Sequence, residues 1–339
     1  MGTARLPAEM TRFAVVGATS WGVTLAWLLH RNGHTVTIIT RTAKEAEALR
    51  AARGLPRLPE LSLPPEIELL PGPAAPDIAG VVVAVPAQAV RRTMATLPLS
   101  RNVPVLNAAK GIEHATGLLM SEVLIQAGWD SSLVSAISGP NLAHEIVRGL
   151  PAAAVIASES SASAEMWQAA LSGPTFRAYT SDDLIGVELA GAYKNVIAIA
   201  AGAAWGLDFG ANTVSTIMTR GLAEMTRLGV AMGANPLTFQ GLAGVGDLAT
   251  TCFSPLSRNR RFGELLASGK SVARAREEIA GAIEGIATAS VALSLAGRYG
   301  VDLPICAVVA EVVEGRATIP QAMAGLLARP LRPEAASPS

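Results

Sequence analysis

Over its first 180 residues the chain alternates short β-branched or apolar runs with helical stretches; beyond Thr180 the runs stop. Phe13-Ala14-Val15-Val16, Thr35–Ile39, Val81–Val85, Val103–Asn107 and Leu133–Ile137 each read as a strand. Between them Trp21–Arg31, Ala43–Arg53, Gln88–Leu97 and Leu118–Ala127 read as helices. Strands that alternate with helices build a mostly parallel, doubly wound sheet. A continuous apolar run such as Val81–Val85 suits a strand covered on both faces. Ala152–Ala157 and Phe176–Tyr179 add outer strands. The proline-rich segment 55–76 reads as loop with one short strand at Ile67–Leu70, residues 1–10 as a loose leader, and Pro330–Ser339 as a disordered tail. The expectation is an α/β chain in two parts: a doubly wound domain over 11–180 and an all-helical domain over 181–328.

Charge and cysteine content narrow the function classes. Lys plus Arg number 27 and Asp plus Glu 27, so the net charge is zero, whereas a chain built to coat nucleic acid is usually basic. A small phosphorylated substrate needs only a local positive site. Cys252 and Cys306 are the only cysteines and neither has metal-ligand spacing around it, which argues for a reducing cytoplasm and no metal. No long apolar h-region follows the first basic residue, so no secretory signal is read. The stretch Leu184–Gly206 is long enough to raise the question of a membrane span. It carries Glu188 and Lys194, however, and charges at a bilayer midplane are costly, so a buried helix of a soluble protein is expected.

Lys194 is the most telling single residue. It stands among Ala190, Gly191, Ile197 and Ala198, which offer no polar exit. A desolvated ammonium is disfavoured, its pKa falls toward neutrality, and it can then exchange protons at physiological pH. The bland alternative is a lysine that snorkels from a surface helix. Glu188, Gly191 and Asn195 share one helical face, with Lys194 beside it.

Other candidate sites sit at strand ends and helix starts. Gly17-Ala18-Thr19-Ser20-Trp21-Gly22 lies between a strand and a helix, as a dinucleotide fingerprint G-x-G-x-x-G would. Thr19 replaces the central glycine, and a side chain there should crowd a pyrophosphate unless its hydroxyl donates to it. The helix N-terminus still offers free N–H groups to an anion. The second strand ends in Thr40-Arg41-Thr42 with no acidic residue; Arg41 can stack on adenine, pair with a 2′-phosphate, or be a surface arginine without a role. Lys110 and Ser138-Gly139-Pro140-Asn141 follow strand ends, where open α/β sheets bind ligands. Asp247, within Gly244-Val245-Gly246-Asp247-Leu248 and before Thr251, can orient a lysine or substrate hydroxyl, or cap a helix. Ser257-Arg258-Asn259-Arg260-Arg261 reads as a helix start that suits a phosphate or is a solvated basic turn.

Taken in order, these segments resemble the bacterial NAD(P)-dependent glycerol-3-phosphate dehydrogenases. The likeness rests on the glycine turn with Trp21, Lys110-Gly111, Ser138-Gly139-Pro140 and Gly191-Ala192-Tyr193-Lys194-Asn195-Val196. It continues through Gly210-Ala211-Asn212, Arg220-Gly221-Leu222-Ala223-Glu224-Met225, Gly246-Asp247-Leu248 and Ser257–Arg261, covering about residues 12 to 325. The resemblance implies a Rossmann-like dinucleotide-binding domain and a helical substrate domain. It also implies reversible reduction of dihydroxyacetone phosphate to sn-glycerol 3-phosphate for phospholipid synthesis, using NAD or NADP. Arg41 leaves NADPH tolerated or preferred, and the small-residue helices of the second half offer a face for a second subunit, so a cytoplasmic homodimer is expected. Carried over, Lys194 is the general acid/base, with Lys110 and Asp247 catalytic. Lys110, Gly139, Asn141, Asn195, Asp247, Thr251, Ser257, Arg258 and Asn259 are substrate positions. Gly17, Thr19, Ser20, Trp21, Gly22, Arg41, Lys110, Ala143, Arg258 and Glu284 are cofactor positions. Two departures from the family pattern stand out: Thr19 for glycine, and Asn141 where many members have threonine. The rival readings are a dehydrogenase of another small carbonyl compound and a dinucleotide sensor without turnover.

Overall fold

The computed structural model describes residues 11–72, 77–279, 281–331 and 333. The expected leader 1–10 and most of the expected tail lie outside the described residues. The described chain forms two compact units. The first comprises the residues up to Ala109 together with Met120–Leu184; the second comprises Lys110–Leu119 and the residues from Ile185 onward.

In the first unit the elements run β1 (Arg12–Val16), α1 (Ser20–Arg31), β2 (Thr35–Thr40), α2 (Ala43–Ala52), β3 (Glu68–Pro71), β4 (Gly80–Val83), α3 (Val90–Thr96), β5 (Val105–Asn107), α4 (Met120–Gln126), β6 (Val134–Ser138), α5 (Ala143–Val147), β7 (Ala152–Ser158), α6 (Ser161–Leu171) and β8 (Phe176–Ser181). They form one eight-stranded sheet in the order β3-β2-β1-β4-β5-β6-β7-β8. Every neighbouring pair is parallel except β6 and β7. Val15 and Val81–Val83 are fully buried, as befits central strands with both faces covered. The strand order reverses between β1 and β4, and in such sheets ligands bind beyond the carboxyl ends of the strands at that reversal.

Sequence reasoning places the strands and the helices α1–α4 to within a few residues but gives no helix at α5 or α6, and the other differences have local causes. β4 stops two residues before the apolar run does, because the Ala84 carbonyl accepts a hydrogen bond from the Thr19 hydroxyl at 2.8 Å instead of a ladder partner. The helix expected from Gln88 opens as a 3₁₀ turn at Ala87–Ala89 before α3 begins.

The second unit is helical: α7 (Leu184–Gly206), α8 (Gly210–Ala231), α9 (Asp247–Phe253), α10 (Arg258–Ala267), α11 (Val272–Glu278), α12 (Glu284–Tyr299), α13 (Pro304–Val313) and α14 (Ile319–Leu327). α7 is apolar all round, which marks a helix surrounded by others. It alone among the described residues is long and apolar enough to cross a membrane, yet 89% of that window is buried inside the protein. Its Tyr193, Val196 and Ile197 pack in a core with Leu228 of α8, Leu248 of α9, Phe262 of α10, Ala292 of α12 and Cys306 of α13.

The segment 110–119 leaves the sheet after β5 and packs with the helices. Ile112 pairs with Leu119 in an isolated bridge, and both side chains are buried in the helical core. A single boundary at 180/181 does not contain this excursion, which moves Lys110 from the first part of the chain to the second unit.

Candidate active site

In the second unit, Lys110, Lys194, Asp247 and Thr251 come together. Lys194 projects from α7 and is only 7% exposed. Its Nζ donates to Asp247 Oδ1 and, at 2.8 Å, to Thr251 Oγ1. Thr251 Oγ1 in turn donates to the Asp247 carbonyl one helical turn back at 2.7 Å, which leaves a lone pair free for the lysine. Lys110 Nζ donates to the other carboxylate oxygen, Oδ2, at 2.5 Å. One buried carboxylate therefore bridges two ammonium groups, and the cluster retains one unit of positive charge.

The protonation states follow from this arrangement. Burial is the largest influence on Lys194 and lowers its pKa; Asp247 opposes and Lys110 adds to the lowering, leaving the pKa at about 8. Burial pushes Asp247 upward, but the two ammonium groups outweigh it and hold the carboxyl below its ordinary value. Asp247 is not a helix cap. A π-helical turn at Leu242–Gly246 leads into α9, Gly246 takes the cap position, and the Asp247 side chain turns to the lysines. Single π turns inside helices are frequent at functional sites.

A second set of bonds steadies the α7 turn that carries Lys194. Asn195 Nδ2 donates to the Gly191 carbonyl at 3.3 Å, while Asn195 Oδ1 accepts from Asn259 Nδ2 at 2.9 Å. Asn259 Oδ1 accepts from the Gly285 amide at 3.0 Å, next to Glu284 at the start of α12. Both asparagines are thus partly committed to each other, and they link α7, α10 and α12. Tyr193 adds a further tie from α7. Its hydroxyl donates at 3.0 Å to Glu224 of α8, whose carboxylate also accepts the Ile305 and Cys306 amides at the start of α13. Burial raises the Glu224 pKa, against the stabilising effect of those amides on its charged form. Ser257 is the N-cap of α10, its hydroxyl accepting from the Arg260 amide at 3.2 Å, and Arg258 is the exposed first residue of that helix.

The first unit holds the remaining candidates: Gly17–Gly22, Arg41, Gly139, Asn141 and Ala143. Gly17 has φ +108°, and a Cβ there would meet the Ala84 carbonyl oxygen at 2.8 Å. A Cβ on Gly22 would lie 2.2 Å from the Gly17 carbonyl oxygen. These two glycines fill the first and third fingerprint roles, the tight turn and the close approach of helix to strand.

Thr19 departs from the sequence expectation. Its hydroxyl faces the protein, donating to Ala84 O and accepting from the Gly22 amide at 3.0 Å as the N-cap of α1. The amides of Ser20 and Trp21 have no protein partner among the described residues. Trp21 Nε1 and both amide atoms of Asn141 are likewise buried without a partner. Free amides at a glycine turn, with the orphaned Trp21 Nε1 on the same turn, fit a phosphate-bearing dinucleotide.

Thr19→Gly is expected to leave NADH affinity unchanged within roughly twofold. It should lower stability by about 1 kcal/mol through loss of the Ala84 bond and a small capping loss. Cofactor titration and chemical denaturation check both numbers; a tenfold loss of affinity would assign the hydroxyl to the ligand after all.

Residues 12–164 match the family model described as the NAD-dependent glycerol-3-phosphate dehydrogenase N-terminus, and residues 183–324 match the one described as its C-terminus. Among curated proteins, a glycerol-3-phosphate dehydrogenase [NAD(P)+] of Corynebacterium glutamicum (strain R) is 41% identical over 334 residues, covering 96% of this chain and all of the relative. That of Moorella thermoacetica is 42% identical, covering 94% and 96%. Among solved structures, glycerol-3-phosphate dehydrogenase from Coxiella burnetii superposes with a TM-score of 0.86 at 31% identity, covering 94% of this chain and 99% of that one.

Proposed function

Because the chain belongs to the NAD-dependent glycerol-3-phosphate dehydrogenase family, we propose that it interconverts dihydroxyacetone phosphate and sn-glycerol 3-phosphate using NAD(H) or NADP(H). The observation that carries this reading is the buried Lys110–Asp247–Lys194 cluster, a proton donor poised near neutrality beside a fixed positive charge. On this reading the first unit is the dinucleotide-binding domain and the second the substrate domain.

The bound nicotinamide supplies or accepts the hydride. The residues of the second unit do the rest. As a carbonyl is reduced, negative charge grows on its oxygen; Lys194 donates the proton there and Lys110 stabilises the charge electrostatically. Asp247 keeps both amines in place, and Thr251 fixes the Lys194 rotamer from the other side. Arg258, Ser257 and the N-terminus of α10 suit the substrate phosphate, with the buried Asn195–Asn259 pair next to them in α7 and α10. Binding energy from that phosphate positions the carbonyl. On the cofactor side, Gly17–Gly22 and α1 suit the pyrophosphate. The strand β2 runs into Arg41 with no acidic residue at its own end, and the Arg41 guanidinium can pair with a 2′-phosphate, so NADPH is accepted.

The reading extends to phospholipid synthesis as the outlet for the product and to a cytoplasmic setting, which two free, buried cysteines support. A homodimer is proposed from the apolar side chains Val230, Leu237 and Leu256 left exposed on the second unit, and light scattering tests it.

The deciding experiment is the initial rate with dihydroxyacetone phosphate, with NADH and NADPH in parallel, against non-phosphorylated carbonyls. Turnover should require the phosphate. With Lys194 at about 8, reduction needs the ammonium and should fall as pH rises through 8, while oxidation of glycerol 3-phosphate should rise and level off above it. Equal rates on non-phosphorylated carbonyls, or a pH profile flat from 7 to 9 in both directions, would sink the assignment.

A further inference from the structure

We propose that Arg57 is a pyrophosphate-binding residue, a guanidinium held over the dinucleotide turn from a loop that carries no recognisable motif. The proposal deepens the dehydrogenase reading and rests on it. Arg57 lies in the proline-rich loop after α2, far in sequence from the turn. Its Nη2 nonetheless donates to the Ala18 carbonyl at 2.6 Å and its Nε to Ser20 Oγ at 3.1 Å. Those two bonds use two of five N–H donors in a rigid fork, so three remain for a ligand. They fix the guanidinium beside the α1 N-terminus, where the Ser20 and Trp21 amides are free.

The loop is held in position by packing. Leu58 is completely buried and Leu61 nearly so, both in the core of the sheet unit. The Leu58 amide donates to the Leu55 carbonyl at 2.8 Å, closing a tight turn around Arg57. Three residues on, the Glu60 carboxylate meets His144 Nδ1 at 3.0 Å on α5, beside the cofactor candidate Ala143. Arg57 has no ion-pair partner among the described residues, so its charge is available to an anion. Guanidinium groups pair with phosphate oxygens in the bidentate geometry that this exposed edge allows.

Position separates the tasks of two arginines. Arg41 follows β2, where the ribose 2′ substituent is read in folds of this type. Arg57 bonds to the phosphate turn itself, so its contribution should be common to NADH and NADPH. Without it the turn would keep its amides but lose the guanidinium bonded to it.

The test is fluorescence titration of NADH and of NADPH into the intact protein and into Arg57→Ala, without substrate and at two salt concentrations. Both dissociation constants should rise by roughly tenfold, and the salt dependence seen with the unsubstituted protein should flatten. Arg57→Lys, which keeps the charge, should recover part of the loss. An unchanged affinity for both cofactors overturns the proposal, and so does a loss confined to NADPH. A loss that is independent of salt and equal in Arg57→Lys also overturns it, because the residue then only props the turn. If the unsubstituted protein binds neither cofactor, the dehydrogenase reading falls with it.

Discussion

Lys194→Ala should reduce turnover by roughly 10³- to 10⁴-fold in both directions while the protein still folds and binds NADH. The expectation follows from the arrangement around the amine. Removing it takes away the proton that the developing alkoxide needs, and the methyl group of alanine cannot relay one from solvent. Asp247 keeps Lys110 as a partner at 2.5 Å, so no buried carboxylate is left uncompensated. The variant should therefore show a near-normal unfolding transition beside an almost complete loss of rate. A rate within tenfold of the unsubstituted enzyme would remove Lys194 from the chemistry.

Asp247→Asn should damage both activity and stability. The amide has the shape of the carboxylate but not its charge, and it leaves two ammonium groups facing each other in a buried site. Loss of one member of such a group typically costs about 3–5 kcal/mol. The Lys194 pKa should fall below its present value of about 8, because Asp247 is what opposes the lowering by burial and by Lys110. At neutral pH a larger share of Lys194 is then deprotonated, and reduction of the ketone suffers most.

The linkage sign can be worked through. In the unsubstituted protein the folded Lys194 binds its proton less tightly than the unfolded chain does, where the ordinary value is 10.5. Its contribution makes stability rise as pH climbs from about 8 to about 10.5. In the variant that rise should begin at lower pH and be larger. Asp247 has the opposite role: its depressed folded pKa contributes stability above the ordinary carboxylate range that is lost in acid, and the variant should lack that acid limb. Denaturant midpoints measured from pH 2 to 10 check both. A variant as stable as its parent across that range would mean that the carboxylate does not hold the lysines.

Much of the strand pattern is legible in residue order because the central strands β1, β2 and β4 carry continuous β-branched or apolar runs, whereas the helices α5 and α6 give no such signal. The reversal between β1 and β4 is not legible there, since strand order depends on crossovers that leave no local mark. In the site, Lys194 was found by its apolar neighbours, a local signal. Its partnership with Asp247 spans 53 positions and with Thr251 57, and only the fold brings them together. For Thr19, residue type suggested a crowded phosphate turn. The hydroxyl instead bonds Ala84, 65 positions away, a contact with no trace in spacing. Arg57 was missed because it sits among prolines with no periodicity. The asparagine pair was assigned to substrate; its cross-link to the start of α12 became visible only in three dimensions.

The decapeptide Lys110–Leu119 has a consequence for how this protein can be cut, swapped or recombined. It threads from the sheet half into the helical half and back, so the polypeptide passes between them at three points in sequence rather than one. A fragment starting at Ile185 would lack Ile112 and Leu119 from its interior and the Lys110 amine from beside Asp247. Chimeras that exchange helical halves between relatives must therefore carry this short insert with its own half, because the amine that meets Asp247 is encoded in the part of the gene that otherwise specifies the sheet.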